Sequence, residues 1–357
     1  MRTRLCLIGD SSSVHLARWA EHFVRENEVM VISDTSGAIP GVRVERVFEM
    51  GAGLRNLTKV FRMRRLVREF GPDIVHGHYL TVGGVYAALS GGNRIVGSAW
   101  GSDVYQDPVR SSKKRFVLKR VLRKCDLVFA GSKDAEAAVR GLGFSGEVQI
   151  VRFGVDPERF KRTSRHGTGE FRLLSPRYCS RIYNPLVIVE AFRSVLPVMG
   201  NAYLHLVEHG NMLGEVRQKV KSDPMLRDHV RFFERRPYES MPEFYNSTDM
   251  AISIPDSDSV AATVLECMAC ELPVVASDIP NMQELIDHGR SGFLTRIEPE
   301  AVARTLLEAH AAGDRLQEMG KRAREKVLDP ASNLTWESNM RVAKGAYGRL
   351  LGASGTG

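Results

Sequence analysis

Two acidic residues in the second half of the chain have the type and spacing that suit recognition of a sugar. Asp258 and Glu266 lie eight positions apart in the segment DSDSVAATVLECMACELPVVASD. If a helix begins at Asp258 or Ser259, Glu266 follows about two turns later and returns to the same side of the helix. Two carboxylates placed in this way can accept hydrogen bonds from a cis-diol such as that of ribose. A structural alternative makes Asp258 a helix cap and Glu266 a solvated helix residue.

The segment DMAISIP, residues 249–255, must position these acids, because it directly precedes them. Its short apolar run predicts a buried parallel strand. The loop that follows would lie at the carboxyl edge of the sheet, where open α/β proteins bind ligands. Ser259 can start the next helix, and free backbone amides near Val260 and Ala261 would attract a phosphate. We therefore expect a nucleotide-binding loop here.

A regular alternation of apolar runs and helical segments extends over the whole chain. The segments EVMVIS, VRVERV, DIVHGH, RIVGSAW and DLVFAGS alternate with helical patterns, and a second series begins at FRLLSPR. This rhythm predicts parallel sheets with helices on both faces. A chain of 357 residues suits two domains. The predicted fold class is α/β, with two Rossmann-like, doubly wound domains.

The segment around Glu266 resembles a known family. Asp258, seven residues, Glu266 and then MACELPVVASD resemble the E-x7-E signature of the family-four retaining glycosyltransferases. The resemblance implies a GT-B fold, in which two Rossmann-like domains face each other across a cleft. It also implies that Glu266 holds the ribose of a nucleotide and that Asp258 meets hydroxyl groups of the donor sugar. Ser259, Val260 and Ala261 replace the glycine- and phenylalanine-containing residues that the family usually has before the helix.

The same resemblance implies two cationic residues at the donor diphosphate. The family has an arginine followed by a lysine, and Arg177 occupies the first position. Arg181 and Tyr183 are nearest to the second. Fixed cations are needed to take a diphosphate out of water, so Arg177 and Arg181 are the predicted phosphate-binding and catalytic residues beside Asp258.

Four more residues are assigned to donor binding by the resemblance. Gly210 lies in the family's glycine turn after a strand, and the backbone near Arg236 passes under the nucleotide base. In the first domain, Gly9 and Ser11 occupy the loop after the first strand, where the family carries a glycine pair that closes over the reaction centre. We expect His15 in the next helix to be a capping or surface residue, although it could reach the cleft.

Polar residues at the strand ends of the first domain are predicted to line the cleft wall. They are His76, His78 and Tyr79, Trp100 with the Gly-Ser-Asp that follows it, and Ser132. The family often has a histidine where this chain has Trp100.

The resemblance divides the chain into an acceptor-side domain, residues 1–160, a donor domain, residues 161–335, and residues 336–357. This last segment forms a helix that crosses back to the first domain and ends in a flexible tail.

The positive charge is concentrated in the first half of the chain. Residues 1–160 contain 25 Lys and Arg against 17 Asp and Glu, whereas the remainder is balanced at 25 each. The helical segments from Arg55 to Arg68 and from Lys113 to Lys124 mix basic and apolar residues. This pattern suits peripheral contact with an anionic membrane, and it suits ordinary amphipathic core helices as well. Nucleic acid is not expected as a partner, because no recognition module accompanies the charge.

The cysteines and the N-terminal residues predict a cytoplasmic protein, peripheral at most at the inner face of the membrane. Five scattered cysteines are typical of a reducing compartment. Cys267 and Cys270 have no second ligand pair, so we expect no zinc site. The opening MRTRLCLIGDSSS has too short an apolar run for a signal peptide, and no run spans a bilayer.

The predicted function is retaining transfer of a sugar from a UDP- or GDP-linked donor to a hydroxyl acceptor. No cofactor or metal is expected, although Asp256-Ser257-Asp258 also matches the metal-binding D-x-D of another glycosyltransferase fold. Two alternatives remain: a nucleotide-sugar 2-epimerase of GT-B fold, and a non-catalytic sugar-nucleotide binding protein.

Overall fold

The chain folds into two compact units. The computed structural model describes residues 2–35, 37–47, 54–163, 169–259 and 261–352, without the side chains of residues 54–57 and 110. The first unit contains Met1–Phe153 and Asn339–Gly357, and the second contains Gly154–Ser338. The tail predicted to be flexible was residues 352–357. Gly352 instead ends the last helix, and residues 353–357 lie outside the described residues.

The described part of the first unit contains a seven-stranded parallel sheet and seven helices before the C-terminal one. The sheet order is β3-β2-β1-β4-β5-β6-β7, so the direction of winding reverses between β1 and β4. The strands are β1 Arg4–Ile8, β2 Glu28–Ser33, β3 Arg43–Arg46, β4 Ile74–His78, β5 Ile95–Ala99, β6 Leu127–Ala130 and β7 Glu147–Ile150. The helices are α1 Val14–Phe23, α2 Leu54–Phe70, α3 Gly84–Leu89, α4 Ser102–Tyr105, α5 Asp107–Arg110, α6 Ser112–Leu122 and α7 Lys133–Gly141, with a π-helical turn at Tyr79–Gly83 before α3.

The described part of the second unit repeats this architecture with six parallel strands. The order is β10-β9-β8-β11-β12-β13, and the winding reverses between β8 and β11. The strands are β8 Phe171–Tyr178, β9 Ala202–Val207, β10 Val230–Phe233, β11 Met250–Ser253, β12 Val274–Ser277 and β13 Phe293–Thr295. The helices are α8 Pro185–Met199, α9 Leu213–Ser222, α10 Pro224–His229, α11 Met241–Asn246, α12 Ala262–Ala269, α13 Pro280–Leu285, α14 Pro299–Ala311, α15 Arg315–Leu328 and α16 Trp336–Gly352. Single 3-10 turns are Arg181–Tyr183, Tyr238–Ser240 and Pro330–Ser332.

These two sheets confirm the predicted pair of doubly wound parallel domains. The boundary between the units falls after Phe153, whereas the sequence predicted it after residue 160. Residues 154–160 pack with the second unit: the Val155 amide donates to the Leu334 carbonyl at 3.0 Å, and Phe160 is fully buried in the core around α12. The last helix, α16, begins in the second unit, and its residues from Asn339 onward belong to the first.

One described helical stretch, Arg181–Met199, is long and apolar enough to cross a membrane by length and composition. In this structure it contains α8, a core helix that packs against α14. Ile188, Phe192 and Val195 of α8 are buried in the main hydrophobic cluster of the second unit. The apolar composition of this helix is therefore explained by its position inside the domain.

Candidate functional site

The predicted acidic loop lies at the point where the winding of the second sheet reverses. β8 and β11 are neighbours in the sheet, and the chain leaves them toward opposite sides. Arg177 is near the carboxyl end of β8, and Asp258 is in the loop after β11. Ligands of open α/β folds bind at such reversal points, because two loops diverge there and leave a crevice.

Arg177 and Asp258 form a largely buried ion pair. The Arg177 Nη2 donates to Asp258 Oδ2, and each side chain is 11% exposed. The Arg177 Nε donates to the Ser253 hydroxyl at 3.3 Å, and its guanidinium carbon lies 4.9 Å from the centre of the Tyr183 ring. Burial alone would lower the pKa of Arg177, but the Asp258 carboxylate, with Tyr183 and Tyr245, raises it above its usual value. A fixed positive charge is therefore held at this edge.

The loop after β11 ends in a strained turn, and α12 begins later than the sequence predicted. The Ala261 amide donates to Asp258 Oδ1 at 2.9 Å, and Ala261 itself has a left-handed backbone with φ of 45°. α12 starts at Ala262, so a start at Asp258 or Ser259 was wrong. The physical reason is that the Asp258 carboxylate closes a turn before the helix. The Ala261 amide, predicted to attract phosphate, is engaged by this carboxylate, and Val260 lies outside the described residues.

Glu266 lies inside the protein and has a specific partner. It is 8% exposed on α12, and the Tyr245 hydroxyl of α11 donates to its Oε2 at 2.7 Å. Burial first, and then the charge of Glu266, raise the pKa of Tyr245 well above its usual value. Tyr245 is thus a neutral hydrogen-bond donor to the Glu266 carboxylate. The interpretation of Glu266 as a solvated surface residue is excluded.

The two carboxylates of the Asp256-Ser257-Asp258 motif are held by different partners. The Asn184 side-chain amide donates to Asp256 Oδ1 at 2.6 Å and to the Ile254 carbonyl at 3.1 Å. Asp258 is bound to Arg177 instead. Within the described residues, no three His, Cys, Asp or Glu side chains gather as they would around a metal ion.

Arg181 lies apart from the buried pair. It begins the 3-10 turn after β8 with an exposed side chain, and its backbone amide donates to Asn211 Oδ1 at 3.2 Å. Tyr183 occupies the place beside Arg177 instead. Of the two sequence candidates for the second position, the structure therefore brings only Tyr183 to Arg177.

Gly210 and Arg236 follow β9 and β10 on the same edge of the sheet. Gly210 has φ of 128°, and a Cβ atom there would lie 2.3 Å from the carbonyl oxygen of Cys179. Only glycine allows this close approach of two strand-end loops. Arg236 is exposed in the loop after β10, and its guanidinium carbon lies 4.6 Å from the centre of the Phe244 ring.

Gly9 and Ser11 lie at the corresponding reversal point of the first unit, after β1. A Cβ atom on Gly9 would lie 2.8 Å from Leu16 Cδ1 and 3.3 Å from His78 Cβ. Ser11 is buried, its amide donates to Ser33 Oγ at 3.0 Å and its hydroxyl donates to the Thr35 carbonyl at 3.3 Å. Its side chain therefore fastens the loop to the end of β2.

The histidines that were expected to line a cleft wall are buried at this reversal point. His76 Nδ1 and Nε2 lie 2.6 Å from Tyr347 Oη and 2.7 Å from Ser98 Oγ. The His78 ring lies 4.1 Å from His76 and 5.4 Å from Trp100, measured between centroids. Burial lowers the pKa of both imidazoles, that of His78 to about 3 with a further contribution from the nearby His15. Both rings are neutral at pH 7.

Three residues of these sites were not predicted as functional: Ser253, Tyr245 and Asn184. Ser253 ends β11 and Asn184 follows the 3-10 turn after β8. Polar residues at such positions could have been identified from the sequence as candidate site residues. Tyr245 lies in the segment RRPYESMPEFYNSTD, 21 positions from Glu266. Its contact depends on the packing of α11 against α12, which no local pattern discloses.

Comparison with known proteins supplies a family for both units. Residues 4–132 match the family model "Glycosyl transferase 4-like", and residues 156–326 match "Glycosyl transferases group 1". A GDP-mannose-dependent alpha-(1-6)-phosphatidylinositol monomannoside mannosyltransferase from Mycolicibacterium smegmatis is 24% identical, over 94% of this chain and 94% of that protein.

Two solved structures match almost the whole chain. Sucrose-phosphate synthase from Thermosynechococcus elongatus has a TM-score of 0.85 and 17% identity, and the match covers 99% of this chain and 100% of that one. Anabaena HepE, in complex with UDP and glucose, has a TM-score of 0.81 and 17% identity, over 97% of this chain and 100% of that one. These matches confirm the GT-B fold. The family is shown by the two family models, which together cover residues 4–132 and 156–326: the chain belongs to the glycosyltransferases of the 4-like and group 1 type.

Proposed function

We propose that this protein is a retaining glycosyltransferase that moves a hexosyl group from a UDP- or GDP-linked sugar to a hydroxyl acceptor. The observation that carries the proposal is the buried Arg177–Asp258 pair at the reversal point of the second sheet. It supplies a fixed cation where a ligand of this fold is expected. HepE, a structural neighbour, binds UDP and glucose. The acceptor classes that we consider are a glycan, a lipid-linked sugar and a small molecule.

Arg177 is proposed to stabilise negative charge on the departing diphosphate. Its guanidinium has five N–H groups. The hydrogen bonds to Asp258 and Ser253 use only some of these groups. The remaining groups can donate to phosphate oxygens without reorganisation, because Asp258 and the Tyr183 ring already hold the guanidinium in place. Arg181, exposed one turn later, would add a second cation from the surface.

Glu266 is proposed to accept hydrogen bonds from the ribose of the donor nucleotide. The Tyr245 hydroxyl orients its carboxylate, so the group is held before the ligand arrives. Ser259, Gly210 and Arg236 surround the same carboxyl edge and complete the proposed donor site. Gly9 and Ser11, which the resemblance also assigns to donor binding, lie at the reversal point of the first unit, after β1.

We propose that transfer requires no metal ion. Arg177 already neutralises Asp258, so a cation at the Asp256-Ser257-Asp258 motif would have to displace the guanidinium. Activity that persists in excess EDTA is the expected result. Loss of activity in EDTA and its recovery with Mg²⁺ or Mn²⁺ would show that the motif binds a metal.

The experiment that tests the function is turnover of UDP-glucose and GDP-mannose with and without a panel of sugar and lipid acceptors. Nucleotide release that depends on an acceptor, with retained anomeric configuration by NMR, is expected. Release with donor alone and an inverted C2 configuration would identify a 2-epimerase. Binding without turnover for every acceptor would identify a non-catalytic binding protein.

We also propose that the outer faces of α2 and α6 contact an anionic membrane on the cytoplasmic side. α6 has the sequence SKKRFVLKRVL, with five basic and no acidic residues. Phe116 and Val117 on α6 are 58% and 42% exposed, and Phe61 on α2 is 67% exposed. Both helices pack into the same core cluster. Basic residues around exposed apolar side chains are typical of helices that lie on anionic lipid.

Vesicle sedimentation tests this contact. The protein should bind phosphatidylglycerol vesicles and not phosphatidylcholine vesicles, and Lys113→Glu with Arg120→Glu should abolish binding. Lys321→Glu with Arg322→Glu, an equal charge change on α15 of the second unit, should not. Equal losses in the two double variants would show a net-charge effect and contradict a specific surface.

A further inference from the structure

A crevice of ≈ 270 Å³ lies in the second unit, away from the proposed donor site. It is lined by the loop before β13, the end of α14 and the first half of α15. Residues that precede a strand of a parallel sheet lie at its amino edge, whereas Arg177 and Asp258 lie at the carboxyl edge. Small-molecule sites usually occupy about 300–1,000 Å³. The crevice therefore suits a compound smaller than a nucleotide sugar.

The loop before β13 presents Arg290 to this crevice from a tight, internally hydrogen-bonded turn. The Asp287 amide donates to Ser291 Oγ at 2.9 Å, and the Arg290 amide donates to the Asp287 carbonyl at 3.0 Å. The Gly289 amide donates to the Gly292 carbonyl at 2.8 Å, and Gly289 has φ of 72°. The backbone that holds Arg290 is therefore fixed before any ligand arrives.

Three charged groups in the crevice are left without partners. The guanidinium groups of Arg290 and Arg315 and the Glu308 carboxylate line it, and within the described part of the chain none of them makes an ion pair or a hydrogen bond. Arg322 and Glu318, which also line it, are instead paired with each other at 3.6 Å. The open charges are thus two positive and one negative.

This set of groups fits a small phosphate ester that also carries hydroxyl groups. Two arginines can share a dianionic phosphate, because each guanidinium presents a planar fork of N–H donors. A carboxylate repels a phosphate and accepts hydrogen bonds from hydroxyl groups. Phe293 and Met319, which are 2% and 6% exposed, supply an apolar floor for the carbon skeleton. Inorganic phosphate alone would leave the carboxylate and the floor unused.

We infer that Arg290, Arg315 and Glu308 form a second ligand site, which binds a sugar phosphate or a similar polyol phosphate. The two arginines hold the phosphate, and Glu308 accepts a hydrogen bond from a hydroxyl group. The inference goes beyond the proposed function and does not depend on it, because it uses no residue of the donor site.

Calorimetric titration of polyol phosphates tests the inference. Glucose 6-phosphate, glucose 1-phosphate, glycerol 3-phosphate and inorganic phosphate are titrated into the wild type and the double variant Arg290→Ala with Arg315→Ala. The wild type should bind at least one of the three esters more tightly than inorganic phosphate. The double variant should bind that ester at least about tenfold more weakly, because charge-assisted hydrogen bonds are lost. Its affinity for UDP and GDP should change less than twofold.

Arg227→Ala with Arg341→Ala is the matched control. Both arginines are exposed and lie outside the crevice, so this variant has the same change in net charge. It should bind the ester with less than a twofold change. Arg290 and Arg315 are exposed as well, so both double variants should keep the melting temperature of the wild type.

Glu308→Ala tests the hydroxyl contact separately from the charge. Removal of a carboxylate beside a phosphate should strengthen the binding of inorganic phosphate, since a repulsion is lost. The preference for the ester over inorganic phosphate should nevertheless fall about tenfold, because the hydrogen bond to the hydroxyl group is lost. An unchanged preference would overturn the role of Glu308.

The outcomes separate this inference from the proposed function. Failure of the wild type to bind any of the three esters, or equal losses in the two double variants, would overturn the second site and leave the donor site standing. Ester binding that survives in Arg290→Ala with Arg315→Ala would place the ester elsewhere and overturn the site too. Failure of the wild type to bind UDP, GDP or their sugars would overturn the proposed function alone.

Discussion

The reversal points of the two sheets have the same topology and opposite chemistry. In the second unit, a buried ion pair between Arg177 and Asp258 lies between β8 and β11, and the pKa of Arg177 is raised. In the first unit, the edge between β1 and β4 contains His76, His78 and aromatic rings, and burial lowers the pKa of both imidazoles. The fold thus provides two equivalent positions. The side chains give the position in the second unit a fixed positive charge and keep the position in the first unit uncharged.

This difference separates the tasks that each unit can perform. An arginine stays protonated over the whole physiological pH range, so Arg177 can stabilise an anionic leaving group at any of these pH values. A neutral, aromatic-lined edge instead favours an uncharged ligand or a closed core. The comparison predicts different effects of mutation at the two reversal points: loss of transfer activity in the second unit, and a changed pH dependence of stability in the first.

The largest expected effect follows from removing the charge of the second unit. Arg177→Ala leaves the Asp258 carboxylate buried without its cation, and breaking a buried pair in this way costs about 3–5 kcal/mol. We expect kcat/KM for transfer to fall at least about 100-fold. Steady-state kinetics with a saturating acceptor measure this.

Arg181→Ala is the matched control for Arg177→Ala. Its side chain is exposed, so the same change should lower kcat/KM less than about tenfold and leave the stability nearly unchanged. Equal effects in the two variants would contradict a special role for the buried arginine.

A pH experiment addresses the neutral edge of the first unit. The folded state holds His78 with a pKa of about 3, whereas the unfolded chain has about 6.5. Its stabilising contribution is complete above about pH 6.5 and is lost as the pH falls toward 3, at about 1.4 kcal/mol per pH unit. The fall in unfolding free energy from pH 7 to pH 5 should therefore be about 2 kcal/mol smaller in His78→Phe than in the wild type.

Urea unfolding followed by tryptophan fluorescence is the suitable measurement, because Trp19 and Trp100 lie 5.3 and 5.4 Å from the His78 ring centre. Asp103, whose pKa burial raises to about 6, is present in both proteins and cancels in the comparison. An unchanged pH dependence in His78→Phe would show that this histidine is not held neutral in the folded state.

The smallest effect is expected at the strained turn before α12. Ala261 has φ of 45°, and a left-handed backbone costs a residue with a Cβ about 1–2 kcal/mol. Ala261→Gly should stabilise the second unit by up to about 1 kcal/mol, offset in part by the greater freedom of glycine in the unfolded chain. Ala262→Gly, inside the helix, should destabilise it. A lower melting temperature in Ala261→Gly would show that the turn is unstrained.

The sequence was sufficient to predict the elements of the fold and part of the candidate site. Short apolar runs located the strands, since buried parallel strands have a continuous apolar pattern. The start of α12 was missed because Asp258 closes a turn with Ala261, which helix-cap patterns alone do not distinguish from a cap. Contacts between segments that are distant in the sequence could not be predicted, because no local pattern encodes them. Tyr347, for example, lies 271 positions from His76 and contacts its ring nitrogen.

Binding of the donor nucleotide to Glu266→Ala is the most direct test of the central claim, that the carboxyl edge of the second sheet holds the nucleotide of a sugar donor. Two charge-assisted hydrogen bonds to ribose, each worth about 1.5–3 kcal/mol, would be lost. Calorimetric titration of UDP and GDP into the wild type and Glu266→Ala should show affinity at least about tenfold weaker in the variant, for whichever nucleotide binds. An unchanged affinity in a folded variant would contradict the claim.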